Sequence, residues 1–296
     1  MKKVLFTGAG VAIVTPFNKD GSINYQMLEN LIDNQIENST DAIIICGTTG
    51  ESPALDHDEH SNVIKRCVDH VAGRVPVIAG TGSNDTAYAV KLSNSAEEAG
   101  VDGLLMVTPY YNKTSQSGLI EHYNYIADRV STPIIVYNVP SRTGVNIKPE
   151  TYLELSKHKN IVAAKEANGD ISSVAQTRRL CGDELSIYSG NDDQITAFMS
   201  LGAKGVISVL SNVVPNIAHN IVAKYLEGDV KGSADLQMEY LDLCNNLFAD
   251  VNPIPVKAAL NMMGIDVGEC RLPLTKMNPT AKELLRQSLI AHGLIK

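Results

Sequence analysis

The chain has no tryptophan, no cysteine pair at zinc spacing, no basic run and no long apolar run, and each absence narrows what it can do. Its five cysteines (Cys46, Cys67, Cys181, Cys244 and Cys270) are odd in number and widely spaced, which supports neither a disulfide framework nor a zinc site. Reduced thiols in a cytoplasm are the simplest reading. A formal net charge of −8 with no Lys/Arg-rich stretch argues against nucleic acid or an anionic membrane as partner. No apolar run reaches the roughly 18 residues that a membrane span needs. The opening MKKVLFTGAGVAIVTPF sets two lysines before apolar residues, as a signal peptide would. Thr7 and Gly8 interrupt that run and no small-x-small cleavage site follows, so the segment reads as the first strand.

What is present is a recurring unit. Short continuous Val/Ile/Ala runs stand at GVAIVTPF (from Gly10), AIIICG (Ala42), VPVIAGTG (Val75) and GLLMVTP (Gly103). Four more follow at PIIVYNVP (Pro133), IVAAKEA (Ile161), LSIYSG (Leu185) and GVISVL (Gly205). Continuous rather than alternating runs predict strands covered on both faces. The intervals carry helical periodicity: Met27, Leu28, Leu31, Ile32 and Ile36 recur near every 3.6 residues. Strand then helix, repeated, implies right-handed parallel crossovers, and eight units ending near residue 226 predict a (β/α)₈ TIM barrel over residues 1–226. A doubly wound open sheet is the alternative. From about Val230 the strand pattern stops, and SADLQMEYLDLCNNLFAD, IPVKAALNMMG and TAKELLRQSLIAHGL read as helices of a C-terminal helical domain, residues 227–296. No low-complexity linker separates the two.

In parallel barrels the chemistry sits at the C-terminal ends of the strands. That rule selects Thr48 and Thr49 in CGTTGES, Tyr110 and Tyr111 in VTPYYNK, Tyr137 and Arg142 in YNVPSRTG, Lys165 in IVAAKEANGD, and Gly190 in YSGND. An amine at a barrel mouth suits attack on a ketone or aldehyde to form a Schiff base. A free lysine, with a pKa of about 10.4, is almost wholly protonated at neutral pH. The apolar approach from Ile161 to Ala164 predicts burial that lowers it. Glu166 is adjacent, but strand alternation turns it to the other face, away from Lys165. The bland alternative is that Lys165 merely ends a strand and reaches into solvent. Schiff-base formation also moves protons, and Tyr137, Thr48 and a tyrosine of the fourth loop can form a relay. Taken singly, each hydroxyl reads as structural; their convergence on one rim is what counts.

Three other motifs carry less. GTTGE lacks the spacing and lysine of a phosphate loop, although its backbone N–H groups suit a small carboxylate. GTGSND, from Gly80, lacks the third glycine of a dinucleotide fingerprint. HDEH, residues 57–60, spaces its histidines three apart rather than four and has no evident third ligand. It reads as a helix start with Asp56 and Asp58 complementing the dipole, and no metal site is expected.

With these residues assembled, the sequence resembles the dihydrodipicolinate synthase family, among the pyruvate Schiff-base lyases that include N-acetylneuraminate lyase. The matching motifs are GTTGES, IAGTGSN, TPYYNK, YNVPSRTG, KEANGD, SGND, GVISV and NPIPVKAAL, in order along nearly the whole chain. The resemblance implies a lyase that condenses pyruvate with L-aspartate 4-semialdehyde in lysine and diaminopimelate biosynthesis. Lys165 would carry the Schiff base, and no metal or organic cofactor would be needed. Tyr137 would exchange protons, linked through Thr48 to Tyr111 of the neighbouring subunit in a tetramer built from two tight dimers. The Thr48 and Thr49 backbone would hold the pyruvate carboxylate, Arg142 would take the carboxylate of the semialdehyde, and Gly190 and Ile207 would line the site through main-chain atoms. An L-lysine feedback site is implied at Ser52, Pro53, His57, His60, Asn84, Tyr88 and Tyr110. There Tyr88 replaces an expected acidic residue, which weakens the case for tight inhibition. The alternatives are a sugar-acid aldolase, which usually lacks the arginine of PSRTG, and a non-catalytic barrel that binds a small acid.

Overall fold

The computed structural model describes residues 2–296. Eight parallel strands close in sequence order into a barrel. They are β1 (Gly8–Ala12), β2 (Ala42–Ile45), β3 (Val77–Gly80), β4 (Gly103–Val107), β5 (Ile134–Asn138), β6 (Ile161–Glu166), β7 (Ser186–Ser189) and β8 (Gly205–Ser208). Around them lie α1 (Tyr25–Glu37), α2 (His57–Val71), α3 (Thr86–Ala99), α4 (Gln116–Ala127), α5 (Pro140–Thr143), α6 (Pro149–Leu155), α7 (Ile171–Cys181), α8 (Ile195–Ser200) and α9 (Pro215–Leu226). The apolar strand runs are continuous because each strand has two buried faces. Ile44, Ile78, Leu105, Ile135 and Ile207 fill the barrel interior. Ile43, Ile45, Val77, Leu104 and Val136 pack outward with helix residues such as Leu28, Ile32 and Val63.

The ring closes where β8 meets β1, with Gly8 and Gly205 as register partners. Both have positive φ, and a Cβ on Gly205 would stand 1.8 Å from the Gly8 carbonyl oxygen. Only glycine permits that approach. The first strand ends sooner than its apolar run predicts. The side chain of Asn212 accepts from the Val14 N–H at 3.1 Å and donates to the Ala12 carbonyl at 2.8 Å, taking over the backbone groups a longer strand would pair.

Beyond α9 the chain is helical: α10 (Val230–Glu239), α11 (Leu241–Asn246), α12 (Ile254–Met262) and α13 (Pro279–Ala291). The single helix read from SADLQMEYLDLCNNLFAD is in fact two, broken at Tyr240, whose ring stacks on His292 of the α13 C-cap with centroids 4.3 Å apart. This region is fastened to the barrel by a buried ion pair. Lys257 of α12 donates to Glu51, in the loop after β2, at 2.8 Å.

Candidate active site

Lys165 faces the barrel interior because of an irregularity in β6. Ile134 pairs with Ile161, but the next residue, Ile135, pairs with Ala163, so β6 carries one extra residue at Val162. Ile161 packs outward among the helices, whereas Val162 and Ala163 both face the interior. Such a bulge resets the alternation of side chains. Counted from Ile161 without it, Lys165 would point outward. With it, Lys165 points in, and its register partners are Tyr137 on β5 and Tyr188 on β7.

The Lys165 Nζ lies 4.3 Å from the centroid of the Tyr137 ring. Among the described residues it makes no hydrogen bond or ion pair. Burial lowers its pKa to about 8; the Asp192 carboxylate works against that shift and the Arg142 guanidinium adds to it. Burial pushes the Tyr137 phenol up to about 12, opposed by the Arg142 charge and by a hydrogen bond with Thr48. The Asp192 carboxyl is itself raised by burial. Its Oδ2 accepts from the N–H groups of Val209 and Leu210, each at 2.9 Å, while Oδ1 is buried without a partner.

These groups border a cavity of about 180 Å³ at the C-terminal mouth of the barrel, whose wall includes Thr48, Thr49, Tyr137, Arg142, Lys165 and Gly190. Six of the expected residues therefore converge. Gly190 is required by packing, since a Cβ there would stand 3.1 Å from Lys165 Cε and 2.8 Å from Ala167 Cβ. The loop carrying Thr48 and Thr49 runs between two non-glycine residues of positive φ, Cys46 and Glu51. It is held from outside the barrel: Asn252 donates to the Thr49 hydroxyl at 3.0 Å, and the Asn252 carbonyl accepts from Arg142 at 3.0 Å. Arg142 stands on the one-turn helix α5 rather than in a free loop.

Two expected residues lie elsewhere. The side chain of Ile207 is fully buried in the barrel interior and is not among those bordering the cavity, whereas the lining role expected of this residue is through main-chain atoms. Its position inside β8, paired with Gly10, places it among the core side chains instead. Tyr111 is 91% exposed, at positive φ, outside its own chain's cavity. Sequence reasoning also missed residues that matter here. Asp192 was visible only as the last letter of SGND, and Asn252 only as the first of NPIPVKAAL. Neither motif says what its side chain touches.

HDEH opens α2, with Asp56 as N-cap in a capping box with Glu59 and with Asp58 in the first turn. His60 is buried, its Nε2 2.9 Å from the Gly80 carbonyl, and burial lowers its pKa. The His57 ring lies 6.2 Å from that of Tyr88, and the Nδ1 atoms of His57 and His60 are buried without partners. Ser52 and Pro53 form a 3₁₀ turn just before α2. The Asn84 carbonyl accepts from Asn112, whose N–H donates to Tyr110. Among the described residues no group of three His, Cys, Asp or Glu side chains is placed to hold a metal ion.

Comparison with known proteins gives the same picture along the whole chain. The profile of the dihydrodipicolinate synthetase family matches residues 5–292. The 4-hydroxy-tetrahydrodipicolinate synthase of Caldicellulosiruptor saccharolyticus is 56% identical over 290 residues, covering 98% of each chain. A dihydrodipicolinate synthase of Acinetobacter baumannii, solved in complex with pyruvate, superposes with a TM-score of 0.96 at 41% identity, over 98% of this chain and 99% of that one. Another from Cyanidioschyzon merolae, solved with lysine bound, gives 0.96 at 39% identity, over 99% and 100%.

Proposed function

The chain belongs to the dihydrodipicolinate synthetase family, and on that premise we propose that it is a lyase condensing pyruvate with L-aspartate 4-semialdehyde, the 4-hydroxy-tetrahydrodipicolinate synthase reaction. The observation that carries this reading is the Lys165 amine: buried, unpaired, and lowered to about 8, so that close to a tenth of it is neutral at pH 7.

That neutral amine adds to the C2 carbonyl of pyruvate, giving a carbinolamine that loses water to an iminium. The iminium draws electrons from C3, which gives up a proton to become an enamine. C3 of the enamine then bonds to the aldehyde carbon of the semialdehyde, whose oxygen takes a proton. The amino group of that new arm adds to C2 and displaces the lysine, closing the ring and freeing the enzyme. The iminium serves as the electron sink, so this chemistry calls for no external cofactor. Tyr137, held protonated by burial, passes the protons with Thr48. Backbone N–H groups at Thr48 and Thr49 hold the pyruvate carboxylate, and Gly190 leaves room beside Lys165. The Arg142 fork holds the carboxylate of the semialdehyde.

Tyr111 completes the relay from a neighbouring subunit in a tetramer of two tight dimers; its exposure and positive φ outside its own cavity support this. Mixing Lys165→Ala with Tyr111→Phe subunits should restore part of the activity, and no recovery despite confirmed mixing would count against a shared site. The unpartnered Nδ1 atoms of His57 and His60, with the His57 ring 6.2 Å from that of Tyr88, support an L-lysine site of weak affinity, because a phenol offers no carboxylate to an ammonium group. Residues 1–226 act as the barrel domain and 227–296 as a helical domain packed on it. The five free thiols, four of them buried, support a reducing compartment such as the cytoplasm.

Borohydride with pyruvate should leave a reduced three-carbon adduct on Lys165 by mass spectrometry; an unmodified Lys165 would sink the proposal. A coupled assay should show turnover with aspartate semialdehyde and none with N-acetylmannosamine, and the reverse preference would make the chain a sugar-acid aldolase. Strong inhibition by micromolar L-lysine in the same assay would overturn the weak-affinity reading.

A further inference from the structure

Behind the cavity wall, on the outer face of the same two strands, lies a buried polar network that the proposed chemistry does not use. Asn138 and Glu166 directly follow Tyr137 and Lys165, and the two pairs form successive rungs between β5 and β6. Alternation sends the first rung inward and the second toward the helices. Glu166 is 4% exposed. Its two carboxylate oxygens accept from the Asn138 amide at 2.9 and 3.0 Å, and one of them also accepts from the Tyr152 hydroxyl of α6 at 2.9 Å. The other accepts from the Asn168 N–H at 2.9 Å. Asn138 also donates to Asn146 at 2.7 Å and accepts from the Ile147 N–H at 3.1 Å.

A buried carboxylate is costly unless it is paired or well supplied with donors. Among the described residues Glu166 has no ion pair, and burial raises its carboxyl to about 7 although the donors pull it down. The titratable groups facing it are Tyr152 of α6, with Tyr123 of α4 and Cys181 of α7 behind, and Tyr137 on the barrel side. None of these is cationic. An apolar residue would pack the same space more cheaply, so the carboxylate has to be explained by what it grips. What it grips is the residue next to Tyr137.

We propose that Glu166 is a positioning residue: by holding Asn138 on the outer rung, it fixes β5 against β6 so that the inner rung keeps the Tyr137 phenol beside the Lys165 amine. The inference rests on the reaction assigned above. It has an electrostatic side too, because the charge of Glu166 disfavours the Tyr137 phenolate and so preserves the proton that Tyr137 must donate.

The test compares Glu166→Ala, which removes the grip, with Glu166→Gln, which keeps an acceptor for Asn138 and removes only the charge. Glu166→Ala should lower kcat by about 30-fold while KM for pyruvate moves by less than about threefold. Glu166→Gln should lower kcat by about three- to fivefold and bring tyrosinate absorbance at 295 nm in at lower pH. Because the chain has no tryptophan, that absorbance reports tyrosine ionisation directly. Because Glu166 also raises the Tyr152 phenol, the titration is read in a Tyr152→Phe background, where a purely structural role would leave it unmoved. Folded variants that both keep kcat within about twofold would overturn the proposal. If Glu166→Ala does not fold, Asn138→Ala, which removes the other half of the grip, decides: kcat within about twofold of the unaltered protein overturns the proposal. Borohydride trapping on the unaltered protein runs alongside. No adduct there would mean that the reaction itself is misassigned, whereas a normal adduct with unaffected variants would reject only the role of Glu166.

Discussion

Lys165 and Lys257 are both nearly withdrawn from solvent, at 6% and 2% exposure, and each amine sits 4.3 Å from the centroid of an aromatic ring, Tyr137 and Phe17 respectively. Their surroundings then diverge. All three N–H groups of Lys257 are used: by Glu51 at 2.8 Å and by the carbonyls of Thr15 and Glu269, each at 3.0 Å. Among the described residues Lys165 has no such partner, and no ion pair joins it to Asp192, the carboxylate that acts on it. The same side chain is a rivet in one place and, in the reaction proposed above, a nucleophile in the other. Burial alone does not make a lysine reactive; burial without a partner does.

Replacing each lysine with methionine should separate the two with effects of opposite sign. Lys165→Met should abolish turnover and the borohydride adduct. It should also stabilise the fold at pH 7, by up to about 3 kcal/mol, in a denaturant or thermal melt. The sign follows from linkage. A lysine whose folded pKa lies at about 8, below the unfolded value, costs stability that is fully present below pH 8 and disappears as pH rises to the unfolded value. Lys257→Met should destabilise by roughly 3–5 kcal/mol, because it strands the Glu51 carboxylate in the interior. Equal stability changes in the two variants would break the contrast.

A finer test uses the pH profile. Catalysis through neutral Lys165 predicts that kcat/KM for pyruvate falls on the acid side with an apparent pKa near 8. Asp192→Asn removes a charge that holds the proton on, so the acid limb should move to lower pH. Arg142→Gln removes a charge that drives the proton off, so the limb should move to higher pH. Shifts of about half a unit to one unit in these opposite directions are expected. A limb that stays put in both variants would mean that Lys165 is not the group being titrated.

The contrast also shows where sequence reading stops. Continuous apolar runs give away all eight strands, because a strand covered on both faces can afford few polar residues. The amphipathic stripe of α1 and the capping residues of α2 were legible for similarly local reasons. Thr48, Tyr137, Arg142 and Lys165 could be picked out because they stand where strands end. The Glu51–Lys257 pair could not: both residues lie in recognisable motifs, yet they are 206 positions apart and nothing local joins them. Asn252, which holds Thr49 with its amide and Arg142 with its carbonyl, escaped for the same reason.

By itself the sequence determined the eightfold repeat, the helical region after it, and the residues available at the mouth of the barrel, since these depend on periodicity and composition along the chain. Tertiary structure decided which way those residues face and what stands beside them. Lys165 shows the difference most clearly. Its apolar approach predicted burial, but the extra residue at Val162 in β6 is what turns its amine into the barrel and into register with Tyr137. A bulge is a mismatch between two strands, so it exists only once β5 and β6 have paired.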